Sequence, residues 1–135
     1  MSLLPILSDD QLPAASRAVV DDIRATRKTD FVNNFWRVLA HDPALLKRTW
    51  EDVKQVMGPG TIDPLVKEMI YVAVSVANGC EYCIRSHTAA ARTKGLSNAQ
   101  LAELMAVIAM ASTTNRLALG LQVPVDDAFM GKSTQ

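Results

Sequence analysis

Aromatic side chains are scarce in this chain: two Trp, two Tyr and three Phe in 135 residues. Any core must therefore draw on Leu, Val, Ile, Ala and Met, since apolar residues make up 49% of the whole. Net charge is lacking as well. Fourteen acids offset fourteen bases, so no field draws the chain toward nucleic acid or an anionic membrane surface. The longest charge-free runs, Met69 to Cys80 and Leu104 to Asn115, are too short to cross a bilayer. The opening Met1-Ser2-Leu3-Leu4-Pro5 has neither a basic segment nor a long apolar stretch. A secretory signal is not expected there, and a cytoplasmic location is the expectation. Cysteine is scarce as well, with two in all. In a reducing compartment such a pair is more often catalytic or metal-binding than a structural staple.

What is present reads as helix throughout, in one expected domain over 1–135. Ser8-Asp9-Asp10-Gln11 has capping-box spacing and predicts a helix to about Lys28, with Pro13 in its first turns allowing a slightly later start. A short apolar helix is expected from Phe31 to Ala40, stopped by His41-Asp42-Pro43, and a third from Pro43 to about Met57. Asp63-Pro64 supplies a cap and a first helical position for a fourth. Its body, Met69 to Ala77, is apolar on nearly every face, which predicts a helix buried all round. Asn78-Gly79 ends it, and a fifth helix runs from about Cys80 to Lys94. Ser97 and Gln100 form a second capping box, opening a sixth helix to about Leu119 with Gly120 as its stop. Pro124 to Gln135 reads as an extended tail or one short turn. The fold class is all-α, about six helices.

The two cysteines meet in Cys80-Glu81-Tyr82-Cys83, and His87 follows one turn later. On a helix Cys80, Cys83 and His87 share a face, with Cys83 and His87 direct neighbours. Two thiols this close can form and release a small-loop disulfide. The opening turn of a helix favours negative charge and an imidazole can take a thiol proton, so a thiolate is expected here. Glu68 lies in the buried fourth helix, where an unpaired carboxylate is costly. If the fourth and fifth helices fold back at Asn78-Gly79, Glu68 lies roughly 15 Å from the turn, His87 about 11 Å and Cys83 about 5 Å. Carboxylate, imidazole, thiol is the order that a proton relay needs. The bland alternative is an ion pair of Glu68 with Arg85, Arg92 or Arg116.

Glu68, eleven residues, then Cys80-x-x-Cys83-x-x-x-His87 resembles the signature of the alkylhydroperoxidase AhpD-like family, within the carboxymuconolactone decarboxylase superfamily. Lys67-Glu68-x-Ile70-x-x-Ala73-Val74-Ser75, Ala89-Ala90, Asn115-Arg116 and Val123-Pro124 extend the resemblance over roughly 31–127, in the manner of peroxidase-related members. The resemblance implies an all-helical homo-oligomer, trimer or hexamer, that reduces hydroperoxides with its cysteine pair. By position, Cys83 would attack the peroxide, Cys80 would close the disulfide, and Glu68 and His87 would be the relay. An external dithiol or protein reductant would regenerate the thiols, with no metal, haem or flavin. Some members carry a histidine where this chain has Tyr82, a poor base near neutral pH.

Other chemistries keep their place at this stage. Cys80, Cys83 and His87 with His41 or a carboxylate could hold zinc. A general thiol–disulfide oxidoreductase or redox sensor would use the same pair. A decarboxylase-like enzyme would not need it. Trp36 and Trp50 are expected in the core or at subunit contacts, and His41 at a helix end.

Overall fold

The structure, a computed structural model, describes residues 2–131. Six α-helices make up nearly all of its regular structure, and among the described residues there is no strand. They are α1 (Ala14–Arg27), α2 (Asn34–Leu39), α3 (Pro43–Met57), α4 (Pro64–Ala77), α5 (Glu81–Thr93) and α6 (Asn98–Gly120). Short 3-10 turns occupy Asp9–Gln11 and Asp127–Phe129. The second of these is the short turn expected in the tail, and the tail's last residues, 132–135, lie outside the described residues. The chain divides into two compact units, Met1–Gly58 and Pro59–Gln135.

In the first unit the Ser8 capping box forms as expected, but it caps a single 3-10 turn. The α-helix starts only after Pro13, which takes the N-cap position with extended backbone angles. Proline has no N–H and would clash with the preceding turn, so the helix cannot run through it. Asp42 caps α3 by accepting N–H bonds from Ala44 and Leu45 at 3.1 and 3.0 Å, ahead of Pro43. His41 donates from Nε2 to the Pro5 carbonyl at 2.9 Å, the helix-end role expected of it. Val20, Ile23, Trp36, Leu46 and Trp50 form the core. The two indoles meet edge to face with centroids 5.5 Å apart, and the Arg27 guanidinium lies over both. Ser16 is fully buried and donates to the Ala40 carbonyl at 2.8 Å, so its hydroxyl carries no unpaid desolvation.

In the second unit α4 and α5 form a hairpin, and α4 also packs against α6. Asp63 caps α4 through Leu65 N at 2.8 Å, with Pro64 at the first helical position. The turn at its far end closes both ways. Gly79 takes φ +67°, its N–H bonds the Val76 carbonyl, and the Cys80 N–H reaches back to the Ser75 carbonyl at 2.9 Å. This double closure is the Schellman arrangement, and it needs a residue free to adopt a left-handed conformation. The same arrangement ends α5: Gly95 takes φ +99° and Leu96 N–H bonds Ala91 O at 3.0 Å. α6 ends at Gly120 as expected, and the left-handed residue that follows is Gln122, φ +51°.

The fourth helix is not buried all round within its own chain. Val72 and Ser75 are buried, but Val66, Ile70 and Val74 stand 43%, 49% and 54% exposed. These three recur every fourth residue and so form one ridge. Inside this unit, α5 and α6 are the helices packed on α4, and the ridge lies outside what they cover. Along α6, Val107, Met110 and Leu117 are exposed as well.

Candidate active site

The α4–α5 hairpin brings Glu68 and His87 together. Glu68 is buried, at 6% exposure, and its Oε2 lies 2.7 Å from His87 Nδ1. Its other oxygen, Oε1, accepts from the Lys94 ammonium at 2.9 Å. Burial alone would raise the Glu68 carboxyl, but the hydrogen bonds from His87 and Lys94, with the lysine's charge, hold it below its ordinary value. An ionised carboxylate can only accept, so the Nδ1 that faces it carries the proton. The neutral imidazole therefore presents the lone pair on its other nitrogen, Nε2.

Two further contacts define the cluster. The Tyr71 ring stacks on the His87 ring, centroids 3.5 Å apart and planes 17° apart. Burial raises the Tyr71 phenol, and negative charge on Cys83, Cys80 and Glu68 adds to the effect, so it stays neutral at physiological pH. Ser75, one turn on along α4, donates to the Tyr71 carbonyl at 2.7 Å.

The cysteines occupy the start of α5, and both thiols are free. Cys80 is the N-cap residue rather than part of the helix, and its Sγ accepts the Cys83 N–H at 3.4 Å. That is the position where a helix offers unsatisfied donors to an acceptor. Hydrogen bonds from the Cys83 thiol, then from the Cys83 and Tyr82 backbone, lower the Cys80 pKa. Cys83 moves the opposite way: burial, its hydrogen bond to Cys80 and the Cys80 charge push it up to about 11. The sequence placed the expected thiolate beside His87. Of the two sulfurs Cys80 is the more readily ionised, because the Cys83 thiol and the helix-start N–H groups donate to it while burial works against a charge on Cys83. Among the described residues no hydrogen bond joins His87 to either sulfur.

The arginine alternatives for Glu68 are engaged elsewhere. Arg85 pairs with Glu81 at 2.9 Å, Arg92 donates to Leu96 O and Arg116 to Ser112 O. Tyr82, one of the two residues between the cysteines, is 43% exposed, and the tyrosine that meets the imidazole is Tyr71. Among the described residues no group of three or more His, Cys, Asp or Glu side chains is arranged to hold a metal ion, and no helix is long and apolar enough to cross a membrane. Sequence reasoning missed Tyr71 and Lys94. Tyr71 lies three residues after Glu68 and Lys94 seven after His87, spacings that place each pair on one helix face.

The site is thus a helical hairpin with a cysteine pair at its turn and a carboxylate–imidazole couple along it. The profile of the carboxymuconolactone decarboxylase family matches residues 43–126, and the chain belongs to that family. Its backbone is similar to the crystal structure of an alkylhydroperoxidase AhpD core from Rhodospirillum rubrum, with a TM-score of 0.92 and 58% identity over 98% of this chain and 99% of that one. An uncharacterised protein of Cupriavidus necator is 32% identical over 82 residues, 61% of this chain and 73% of its own length. An alkyl hydroperoxide reductase AhpD of Solibacter usitatus is 39% identical over 72 residues, 53% of this chain but only 39% of that protein.

Proposed function

We propose that the chain is a thiol-dependent peroxidase that reduces a hydroperoxide with the Cys80–Cys83 pair, assisted by Glu68 and His87. The observation that carries this reading is the 2.7 Å bond between a buried carboxylate and an imidazole on the same helical hairpin as the cysteine pair. The similarity to proteins named alkylhydroperoxidase and alkyl hydroperoxide reductase supports it.

Loss of one proton from the pair places the charge first on Cys80, the more readily ionised sulfur. Transfer of the Cys83 proton to Cys80 along their hydrogen bond makes Cys83 the thiolate without changing the net charge. The Cys83 sulfur then attacks the terminal peroxide oxygen. An S–O bond forms, the O–O bond breaks, and the departing alkoxide takes the Cys80 thiol proton to leave as alcohol. The Cys80 thiolate attacks the resulting sulfenic acid, the S–O bond breaks, and the departing hydroxide becomes water with the proton that the pair gave up on ionising, returned by His87 or solvent, as the disulfide forms. The hydroperoxide has gained two electrons and the two thiols have lost them. An external dithiol, free or on a protein reductant, restores the pair by exchange, entering at Cys80 as the less enclosed sulfur. His87, its Nδ1–H held by Glu68, supplies Nε2 as the group that takes and returns protons.

The reading extends to a homo-oligomer working in the cytoplasm, the first supported by the apolar ridge on α4. A second chemistry, disulfide exchange with protein substrates, uses the same pair and differs in showing only slow peroxide consumption. The test is consumption of an organic hydroperoxide with excess dithiol. Cys83→Ser is expected to abolish turnover. Cys80→Ser is expected to react once and stop at a sulfenic acid trapped by a 1,3-dione on Cys83. Full turnover in the Cys83→Ser protein sinks the mechanism.

A further inference from the structure

Glu68 has two hydrogen-bond partners, and only one of them, His87, belongs to the proposed relay. The other, Lys94, is the C-cap residue of α5, held there by the Gly95 closure, and its Nζ reaches Glu68 Oε1 at 2.9 Å. We propose that Lys94 is a positioning residue that divides the Glu68 carboxylate between two partners and keeps His87 able to release a proton as well as take one. The proposal rests on the peroxidase reading for its purpose, though not for its test.

The argument is one of charge balance. A lone carboxylate 2.7 Å from an imidazole favours the imidazolium, by one to three pH units for opposite charges at close range. An imidazole held protonated through neutral pH cannot accept a thiol proton. The Lys94 ammonium offsets the carboxylate from the oxygen that His87 does not use. It also orients the group: with Oε1 engaged by Lys94, Oε2 is the oxygen turned to Nδ1.

The other groups around the ring do not replace it. From α4, Glu68 and Tyr71 face His87, and the Tyr71 phenol stays neutral. On the α5 side the nearby titratable groups are Cys80, Cys83 and Lys94. The charged residues of α6 are Glu103 and Arg116. Arg116 bonds its own helix, and among the described residues no hydrogen bond joins either to Glu68 or His87.

The experiment is a proton–nitrogen NMR titration of the imidazoles in the reduced full-length chain. The chain has only two histidines, so His87→Asn assigns the His87 signal. In Lys94→Met, the His87 imidazolium is expected to persist about one pH unit higher than in the unsubstituted protein. Lys94→Arg is expected to restore the original midpoint. A Lys94→Met midpoint unchanged from the original overturns the proposal, as does a Lys94→Arg protein that behaves like the Met variant. The unsubstituted protein provides a check that needs no variant to fold: its neutral His87 must be the Nδ1–H tautomer, and the Nε2–H tautomer would overturn the proposal. No peroxide enters this titration. Failure of the peroxidase reading leaves its outcome intact, and an unmoved midpoint beside normal peroxide turnover counts against Lys94 alone.

Discussion

The Tyr71 ring lies flat against the His87 imidazole, with centroids 3.5 Å apart. The contact closes one face of the ring while Glu68, three residues earlier on the same helix, holds Nδ1. An imidazole gripped at one nitrogen can still pivot about that bond, and the stacked phenol ring blocks the pivot. Tyr71→Phe keeps the ring and should leave hydroperoxide turnover within about threefold of the original. Tyr71→Ala removes it and should lower kcat by roughly 10-fold to 100-fold with little change in KM, because a misplacement near 1 Å is costly at a proton-transfer group. Steady-state kinetics of both variants check this. Equal losses in the two would assign the role to the hydroxyl rather than to the ring face.

The cysteine pair should ionise in two separated steps. Its first proton leaves below the ordinary cysteine range because the helix-start donors and the Cys83 thiol stabilise the Cys80 thiolate. The second stays on Cys83 until about pH 11 because burial and the Cys80 charge oppose it. Raising the pH through the first step should therefore switch on alkylation of Cys80 while Cys83 remains protected. Peptide mapping after a short iodoacetamide pulse reads this directly. In Cys80→Ser the repelling charge is gone, so Cys83 should become reactive at a lower pH than it does beside Cys80. Modification of Cys83 ahead of Cys80 in the unsubstituted protein would reverse the assignment of the more readily ionised sulfur.

The sequence was legible where local rules decide the outcome. Features decided by neighbours in the chain were read correctly: Asp63-Pro64 opens α4, Ser97 and Gln100 form their box, and Gly79 takes the left-handed turn. The Glu68–His87 contact needed more than axial height along a hairpin, since helix rotation decides which way a side chain points. The family resemblance supplied that part, and the 2.7 Å bond agrees with it. Features that spacing leaves open depend on depth or on competition between elements. Which sulfur is ionised turns on burial around Cys83, which no local spacing reports. Lys94 and Tyr71 passed unnoticed because a lysine at a helix end and a tyrosine in an apolar helix have common structural explanations. Gly120 is the last residue of α6, as its residue type suggests, but the left-handed conformation falls on Gln122 two residues later.

The same limit explains α4, whose apolar body pointed to burial on every side while Val66, Ile70 and Val74 remain open in the single chain. Fully covering a side chain of this size contributes about 1.5–3 kcal/mol, so leaving a ridge of three in water forgoes a sizeable stabilisation. Association of copies of this chain would recover it, and the trimer or hexamer implied by the resemblance is the expected state. Light scattering coupled to size exclusion should give the mass of such an assembly at micromolar concentration. Ile70→Glu places a carboxylate in the middle of the ridge, where burial without a partner costs several kcal/mol. The variant should shift toward smaller species while retaining helical circular dichroism. A single-chain mass for the unsubstituted protein, or an assembly indifferent to Ile70→Glu, would remove the ridge from the subunit interface.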